Sequence, residues 1–362
     1  MVKAKQNKMI YSFSDEEIFL AKETLKRLLL WYQKSHRDLP WRKTRDPYCI
    51  WISEIMLQQT RVEAVKEYYR RFLETLPNIS ALAEAEEEQV LKLWEGLGYY
   101  SRARNLQKAA CEIMEKHEGV FPSDWDSVRK LPGIGDYTAG AILSIAFGQP
   151  VPAVDGNVLR VLSRVLHDEA DILDNKTKVR MSELLRQVYP HEHCSEVTQS
   201  LMELGAMVCV PNGDPKCHEC PLSEICIAKE MGDADTLPVK SKKTARKIEQ
   251  KTVLILQSGE KYAIRKRTER GLLHGMWEPI NCEGHLLESE IKKQYPLAQK
   301  IKKNGTHRHI FTHIEWDMIG YSVELPEQVG DYQWVSKEEL KSTYAIPKAF
   351  QPFFKDLKQK YF

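Results

Sequence analysis

No stretch of this sequence approaches the ~20 consecutive apolar residues that cross a bilayer. Its first residues, MVKAKQNKMIYSFSDEE, lack the apolar core of a secretory signal. A soluble cytosolic protein, with no membrane partner, is the expectation. A strong charge of either sign is also missing, since 53 Lys and Arg stand against 51 Asp and Glu for a net charge of +2. Any affinity for nucleic acid must then come from local clustering of basic residues. Internal repeats and low-complexity tracts are absent. What is present is a chain of 362 residues, 42% hydrophobic, enough for two to three domains with real cores.

Residues from about 15 to 235 read as mostly helical, with apolar residues at helical spacing in Val158, Val161, Leu162, Val165 and Leu166. Asp46-Pro47 marks a helix start, a capping carboxylate before a proline at the first helical position. Residues 236–251 read as a basic linker that also suits phosphates, because PVKSKKTARKIEQK carries six Lys or Arg and one Glu. From 252 to 362 the pattern turns to β-rich segments, TVLIL, YAIRKR and HIFTHIEWDMIGYSV, closed by a helical pattern, SKEELKSTYAIPKAFQPFFKDLKQ. This half reads as a separate α/β domain.

Eight cysteines in a reducing compartment are thiols or metal ligands rather than disulfides. Cys49, Cys111, Cys194 and Cys282 are scattered singly and read as small buried apolar residues. Cys209, Cys217, Cys220 and Cys226 fall within eighteen residues and read as a ligand set. Spacing alone leaves zinc and an iron–sulfur cluster both open, although zinc sites more often use two Cys-x2-Cys pairs.

Three further motifs carry chemistry. In LPGIGDYTAG (131–140), Gly133 and Gly135 can adopt backbone conformations closed to other residues, so that N–H groups and a helix N-terminus face an anion. The alternative is an ordinary helix corner. Glu54, in YCIWISEIMLQQT, has Ile50, Trp51 and Leu57 as helical neighbours. A carboxyl desolvated on such a face has a raised pKa and suits a general acid; the alternative is a rim glutamate in a salt bridge. Asp155 precedes an amphipathic helix as an N-cap, where N–H donors would hold it ionised, as a developing cation needs.

ELGAMVC followed by a CxxCPLxxxC loop resembles the cluster loop of the endonuclease III superfamily of helix-hairpin-helix DNA glycosylases, with one extra residue between the first two cysteines. RDLPWR (37–42), SEIMLQQTRVE (53–63), WEGLGYYSRARNL (94–106) and VDGNVLRV (154–161) resemble adenine DNA glycosylases of the MutY family. The resemblance implies an all-α helix-hairpin-helix glycosylase region with a 4Fe-4S cluster loop. It also implies a C-terminal α/β Nudix-like domain, in line with GLLHGMWEPIN, though residues 284–296 lack the acidic box of active hydrolases.

By the same resemblance, Glu54 protonates adenine N7, Asp155 stabilises the oxocarbenium ion or briefly bonds to the sugar, and Tyr137 and Asn157 assist. Arg37, Leu39, Trp41, Arg42 and Gln199 belong near the adenine pocket, an arginine beside an indole suiting a flat polar base. Leu57, Gln59, Thr60 and Tyr99 belong to the DNA-contacting set, Gln59 and Tyr99 as wedges into the base stack. Taken bare of family, these two read as a helix-terminal glutamine and a core tyrosine. Phe311, Thr312 and His313 form a loop that checks for 8-oxoguanine, with Thr312 where the family usually has Ser, and basic residues of SRARNLQK contact phosphates.

Strand-cutting relatives carry a Schiff-base lysine where this chain has Tyr137. The expected function is therefore a monofunctional, monomeric adenine glycosylase acting on double-stranded DNA with an adenine mispair, and nucleoid-associated if bacterial. A bifunctional pyrimidine-specific relative is opposed by Tyr137, and a non-catalytic DNA binder by the presence of both Glu54 and Asp155.

Overall fold

The computed structural model describes residues 11–211, 213–241 and 245–354, and these divide into two compact units. The first holds the described residues through Leu73, Asn78–Ser80 and 109–241; the second holds Glu74–Pro77, Ala81–Lys108 and the described chain from 245 onward.

The first unit is helical, and its helices start where short polar side chains satisfy backbone donors. Ser14 and Glu17 form a reciprocal capping box before the helix Asp15–Ser35. Asp46 accepts from the N–H groups of Tyr48 and Cys49 and Pro47 takes the first turn, as the sequence suggests. The helix Pro47–Leu57 is apolar almost all round and buried from Ile50 through Met56, so it runs through the interior. The periodic residues Val158, Val161, Leu162 and Val165 of the helix Gly156–Leu166 pack with Leu25, Leu28, Leu201 and Leu204. Of the scattered cysteines only Cys194 is fully buried; Cys49, Cys111 and Cys282 are half-buried. No described helix is long and apolar enough to cross a membrane.

The second unit is built on a sheet of β1 (Lys247–Ser258), β2 (Lys261–Lys266), β3 (Trp277–Glu283), β4 (Lys300–Ile310), β5 (Ile314–Glu324) and β6 (Gln333–Ser336). The order is β4-β5-β1-β3-β2-β6, with β1 parallel to β5 and the other pairs antiparallel. β1 is covered on both faces. Val253 and Ile255 join Trp316, Met318 and Phe350, while Leu254 and Leu256 join Ile291, Tyr321 and Val323. That double burial explains the unbroken apolar run TVLIL.

Three expectations are corrected here. β1 begins at Lys247, inside the presumed linker, because residues 247–257 pair in unbroken register with residues 314–324; residues 242–244 lie outside the described chain. The closing helical pattern is helix only over Lys337–Ser342. Pro347 and Pro352 interrupt it, a short 3-10 turn buries Phe353, and residues 355–362 are outside the description. Residues 81–108 group with the sheet: Lys92 Nζ donates to the carbonyls of Leu340 and Tyr344 at 3.1 Å, and Arg104 donates to that of His274 at 2.8 Å.

Inside the first unit, the helix Cys194–Met207 passes the start of the helix Gly156–Leu166 at Gly205, where a Cβ would stand 2.6 Å from that of Asn157. Gly205→Ala is therefore expected to cost about 1–3 kcal/mol through overpacking, read as a lower urea midpoint at unchanged m-value.

Candidate active site

A cavity of about 560 Å³ opens inside the first unit. It is lined from the helices Pro47–Leu57, Asp136–Ile145 and Cys194–Met207, from the start of Gly156–Leu166 and from the turn Pro40–Arg42. Glu54 lies on its wall at 5% exposure, and the Tyr137 hydroxyl donates to its Oε2 at 2.6 Å. Burial raises the Glu54 carboxyl to about 7; the Tyr137 bond and Arg42 pull the other way, while Asp155 adds to the rise. Tyr137, pushed well above its ordinary value by burial and by Glu54, stays a phenol and so a donor.

Asp155 caps the helix Gly156–Leu166 and accepts from the N–H groups of Asn157 and Val158 at 2.9 and 2.8 Å and from Asn157 Nδ2 at 2.7 Å. The cap was expected, but the direction of its pKa was not. Burial pushes the carboxyl up and outweighs the bonds that favour its charge. From the same helix, Arg160 donates to Asn157 Oδ1 at 2.8 Å, to the Gly205 carbonyl at 2.6 Å and to the Cys209 carbonyl at 2.8 Å.

The cavity brings together Arg37, Leu39, Trp41, Arg42, Leu57, Gln59, Thr60 and Gln199 with Glu54, Tyr137, Asp155 and Asn157. It adds Glu203, which the sequence reading missed. Arg37 meets the Glu203 carboxylate through its backbone N–H and Nε at 2.9 Å and a terminal nitrogen at 2.6 Å, and Arg42 meets it at 2.7 Å. Burial opposes the charge, yet the two guanidiniums hold Glu203 at about 2. A signal existed, since Glu203 lies one helical turn beyond Gln199. Arg42 and Trp41 both line the cavity; Arg42 lies over the Tyr32 ring at 5.4 Å, and Trp41 packs edge-on against Tyr69.

Gln59 sits just past the Pro47–Leu57 helix in a left-handed conformation, φ 57°. Gly133 also takes a positive φ, 79°. Gly135 does not: it caps the Asp136–Ile145 helix at φ −92°, a conformation open to any residue, with nothing within 4 Å of a Cβ position. That glycine leaves open space at a helix start rather than unusual backbone.

In the second unit, Tyr99 is 47% exposed at φ 48°, so it is no core tyrosine. Its hydroxyl is 3.0 Å from Thr312 Oγ1, joining two residues the sequence treats separately. Phe311, at the turn between β4 and β5, stacks edge-on with Trp316 and His309, and the His313 carbonyl accepts from Lys247. Arg102 and Arg104, expected on phosphates, have partners within the second unit. Arg102 donates to the Leu97 and Gly98 carbonyls and lies over Trp94; Arg104 pairs with Glu87.

Cys209, Cys217, Cys220 and Cys226 line one small cavity. Among the described residues no three Cys, His, Asp or Glu side chains form a ready site for a single metal ion. Arg164 donates to Cys209 Sγ at 3.2 Å, and burial pushes the Cys220 thiol up to about 12. Four thiols around one space are the donor set that a thiolate-bound metal centre takes.

Residues 52–189 match the model of the HhH-GPD superfamily base excision DNA repair proteins, and residues 252–356 match that of the NUDIX domain. An adenine DNA glycosylase of Schizosaccharomyces pombe is 32% identical over 91% of this chain and 88% of its own length. That of Buchnera aphidicola subsp. Acyrthosiphon pisum is 36% identical over 83% and 86%, and that of Homo sapiens 31% over 91% and 72%. Among solved structures, a thermostable thymine-DNA glycosylase superposes with a TM-score of 0.55 at 29% identity, covering 60% of this chain and all of that one. A non-covalent endonuclease III–DNA complex gives 0.51 at 25%, covering 59% and 97%.

Glu54 is raised from 4.5 to about 7 in the folded chain, so its contribution to stability is fully present below pH 4.5 and lost as pH rises through 7. Glu54→Gln removes that loss. The variant is expected to be more stable than wild type at pH 8, by up to roughly 3 kcal/mol, with the gain gone by pH 4.5, in paired urea titrations. A stability difference independent of pH would contradict this.

Proposed function

The chain belongs to the adenine DNA glycosylase family, and from that premise we propose that it hydrolyses the N-glycosidic bond of adenine mispaired with 8-oxoguanine or guanine, leaving an abasic site for base excision repair. One observation carries the reading: a buried, proton-holding Glu54 shares a cavity with a helix-capped Asp155.

In this reading the adenine leaves the stack and enters the cavity, with Arg37, Arg42 and Gln199 as polar partners and Leu39 and Trp41 as apolar walls. Glu54 gives its proton to adenine N7, and the bond between the base and the sugar C1′ breaks with its electrons going to the base. The Asp155 carboxylate faces the cation left on the sugar, and water closes the reaction. Asn157 holds Asp155, and Tyr137 holds Glu54. Because Tyr137 has no amine, no Schiff base forms and the strand stays whole. Gly133, Gly135 and the helix start behind them take a phosphate. Gln59 and Tyr99 wedge the duplex open, with Leu57 and Thr60 beside Gln59.

The four cysteines would hold a 4Fe-4S cluster, which when bound supplies a rigid tie for the loop through four iron–thiolate bonds. The NUDIX-domain residues serve recognition. The Phe311-Thr312-His313 turn contacts 8-oxoguanine, supported by the Tyr99–Thr312 bond.

Duplexes with adenine opposite 8-oxoguanine should release free adenine and break only after alkali. Glu54→Gln and Asp155→Asn should each abolish release while duplex binding persists; turnover in either variant removes its residue from the mechanism, and alkali-independent nicking by wild type contradicts the monofunctional reading. In the same assay, Thr312→Ala and His313→Ala should lower the preference for 8-oxoguanine over guanine as the opposite base. An unchanged ratio would mean that the turn is not the sensor.

A further inference from the structure

Glu203 has no assigned part in the chemistry above, yet it is the most completely paired carboxylate of the cavity. Its side chain has no exposure, and four donors from Arg37 and Arg42 converge on its two oxygens. Arg42 also donates to the Arg37 carbonyl at 3.0 Å, so the two arginines are tied to each other as well as to the carboxylate. Tyr32, under the Arg42 guanidinium, donates a hydrogen bond from its hydroxyl to Gln199 Oε1 at 3.0 Å. Arg37, Arg42 and Gln199 thus form one continuous polar floor with Glu203 at its centre.

Two physical consequences follow. An arginine side chain held by paired bonds has lost its rotamer freedom before a ligand arrives, so the ordering cost is not charged against binding. Charge balance is the second. Among the cavity-lining side chains, Arg37 and Arg42 are offset by Glu203 and Asp155 only while Glu54 is neutral. With Glu203 uncharged, a surplus positive charge would face Glu54 and favour its ionised form. The groups bearing on Glu54 are Tyr137 from the Asp136–Ile145 helix, Asp155 from the start of Gly156–Leu166, and Arg42 from the turn Pro40–Arg42.

We propose that Glu203 is a positioning residue: its buried carboxylate locks Arg37 and Arg42 in place as donors to the flipped adenine and balances their charge beside Glu54. The inference rests on the adenine-excising reading given above.

The test is single-turnover adenine release by wild type, Glu203→Asp and Glu203→Gln from pH 6 to 9, with duplex affinity and thermal melts measured in parallel. Glu203→Asp keeps the charge but shortens the arm, so the rate should fall roughly three- to tenfold, with wild-type duplex affinity and an unmoved alkaline limb. Glu203→Gln should fall roughly ten- to a hundredfold, and its alkaline limb should move to lower pH. A wild-type rate in either folded variant overturns the proposal. So does a rate loss in Glu203→Gln without movement of the limb, which packing alone would produce. If Glu203→Gln does not melt cooperatively, the Glu203→Asp rate decides. Failure of wild type to release adenine would instead refute the underlying reading, whatever the variants do.

Discussion

A carboxylate taken out of water must lose its charge or find compensation, and the cavity of the first unit meets that demand in three ways. Glu54 meets a phenol and an apolar helix, and keeps its proton near neutral pH. Glu203 meets two guanidiniums, which hold it at about 2, well below the usual carboxylate range. Asp155 meets a helix start and an amide, which only partly offset burial. Residues of nearly identical chemistry thereby become a carboxyl of raised pKa, an ionised counter-ion and a helix-capping carboxylate, each by what surrounds it.

The helix Gly156–Leu166 carries these demands through the unit. Asp155 caps its start, Arg160 one turn in binds Asn157 and the Cys209 carbonyl, and Arg164 one turn further meets the Cys209 sulfur. Its other face supplies Val158, Val161, Leu162 and Val165 to the core. One element therefore fixes the carboxylate, the core and the first cysteine of the loop. A change in packing at Gly205 is felt at Asn157 for the same reason.

Much of this was legible in the sequence because it is local. Caps and apolar periodicity are short-range patterns, and each fell where the local chemistry put it, whereas of the glycine pair only Gly133 takes the unusual backbone. The misses are long-range. Nothing near residue 203 says that its carboxylate will meet Arg37 and Arg42 more than 160 positions earlier. The direction at Asp155 was misjudged because hydrogen bonds can be read from a cap whereas depth of burial cannot. β1 was read as starting late because its first residues are charged, and they are strand only by virtue of pairing with β5.

Residues 81–108 also bear on how the chain is made. Lys92 finds its acceptors at Leu340 and Tyr344, 248 and 252 residues later. At ribosomal speeds of about 5–20 residues per second, those partners emerge roughly 12 to 50 seconds after Lys92 does. Throughout that interval Lys92, and Glu95, whose carboxylate accepts from the Ile346 N–H at 2.8 Å, wait for partners not yet synthesised. This segment is where a nascent chain would call on a chaperone, and where a truncated product would betray itself to a protease.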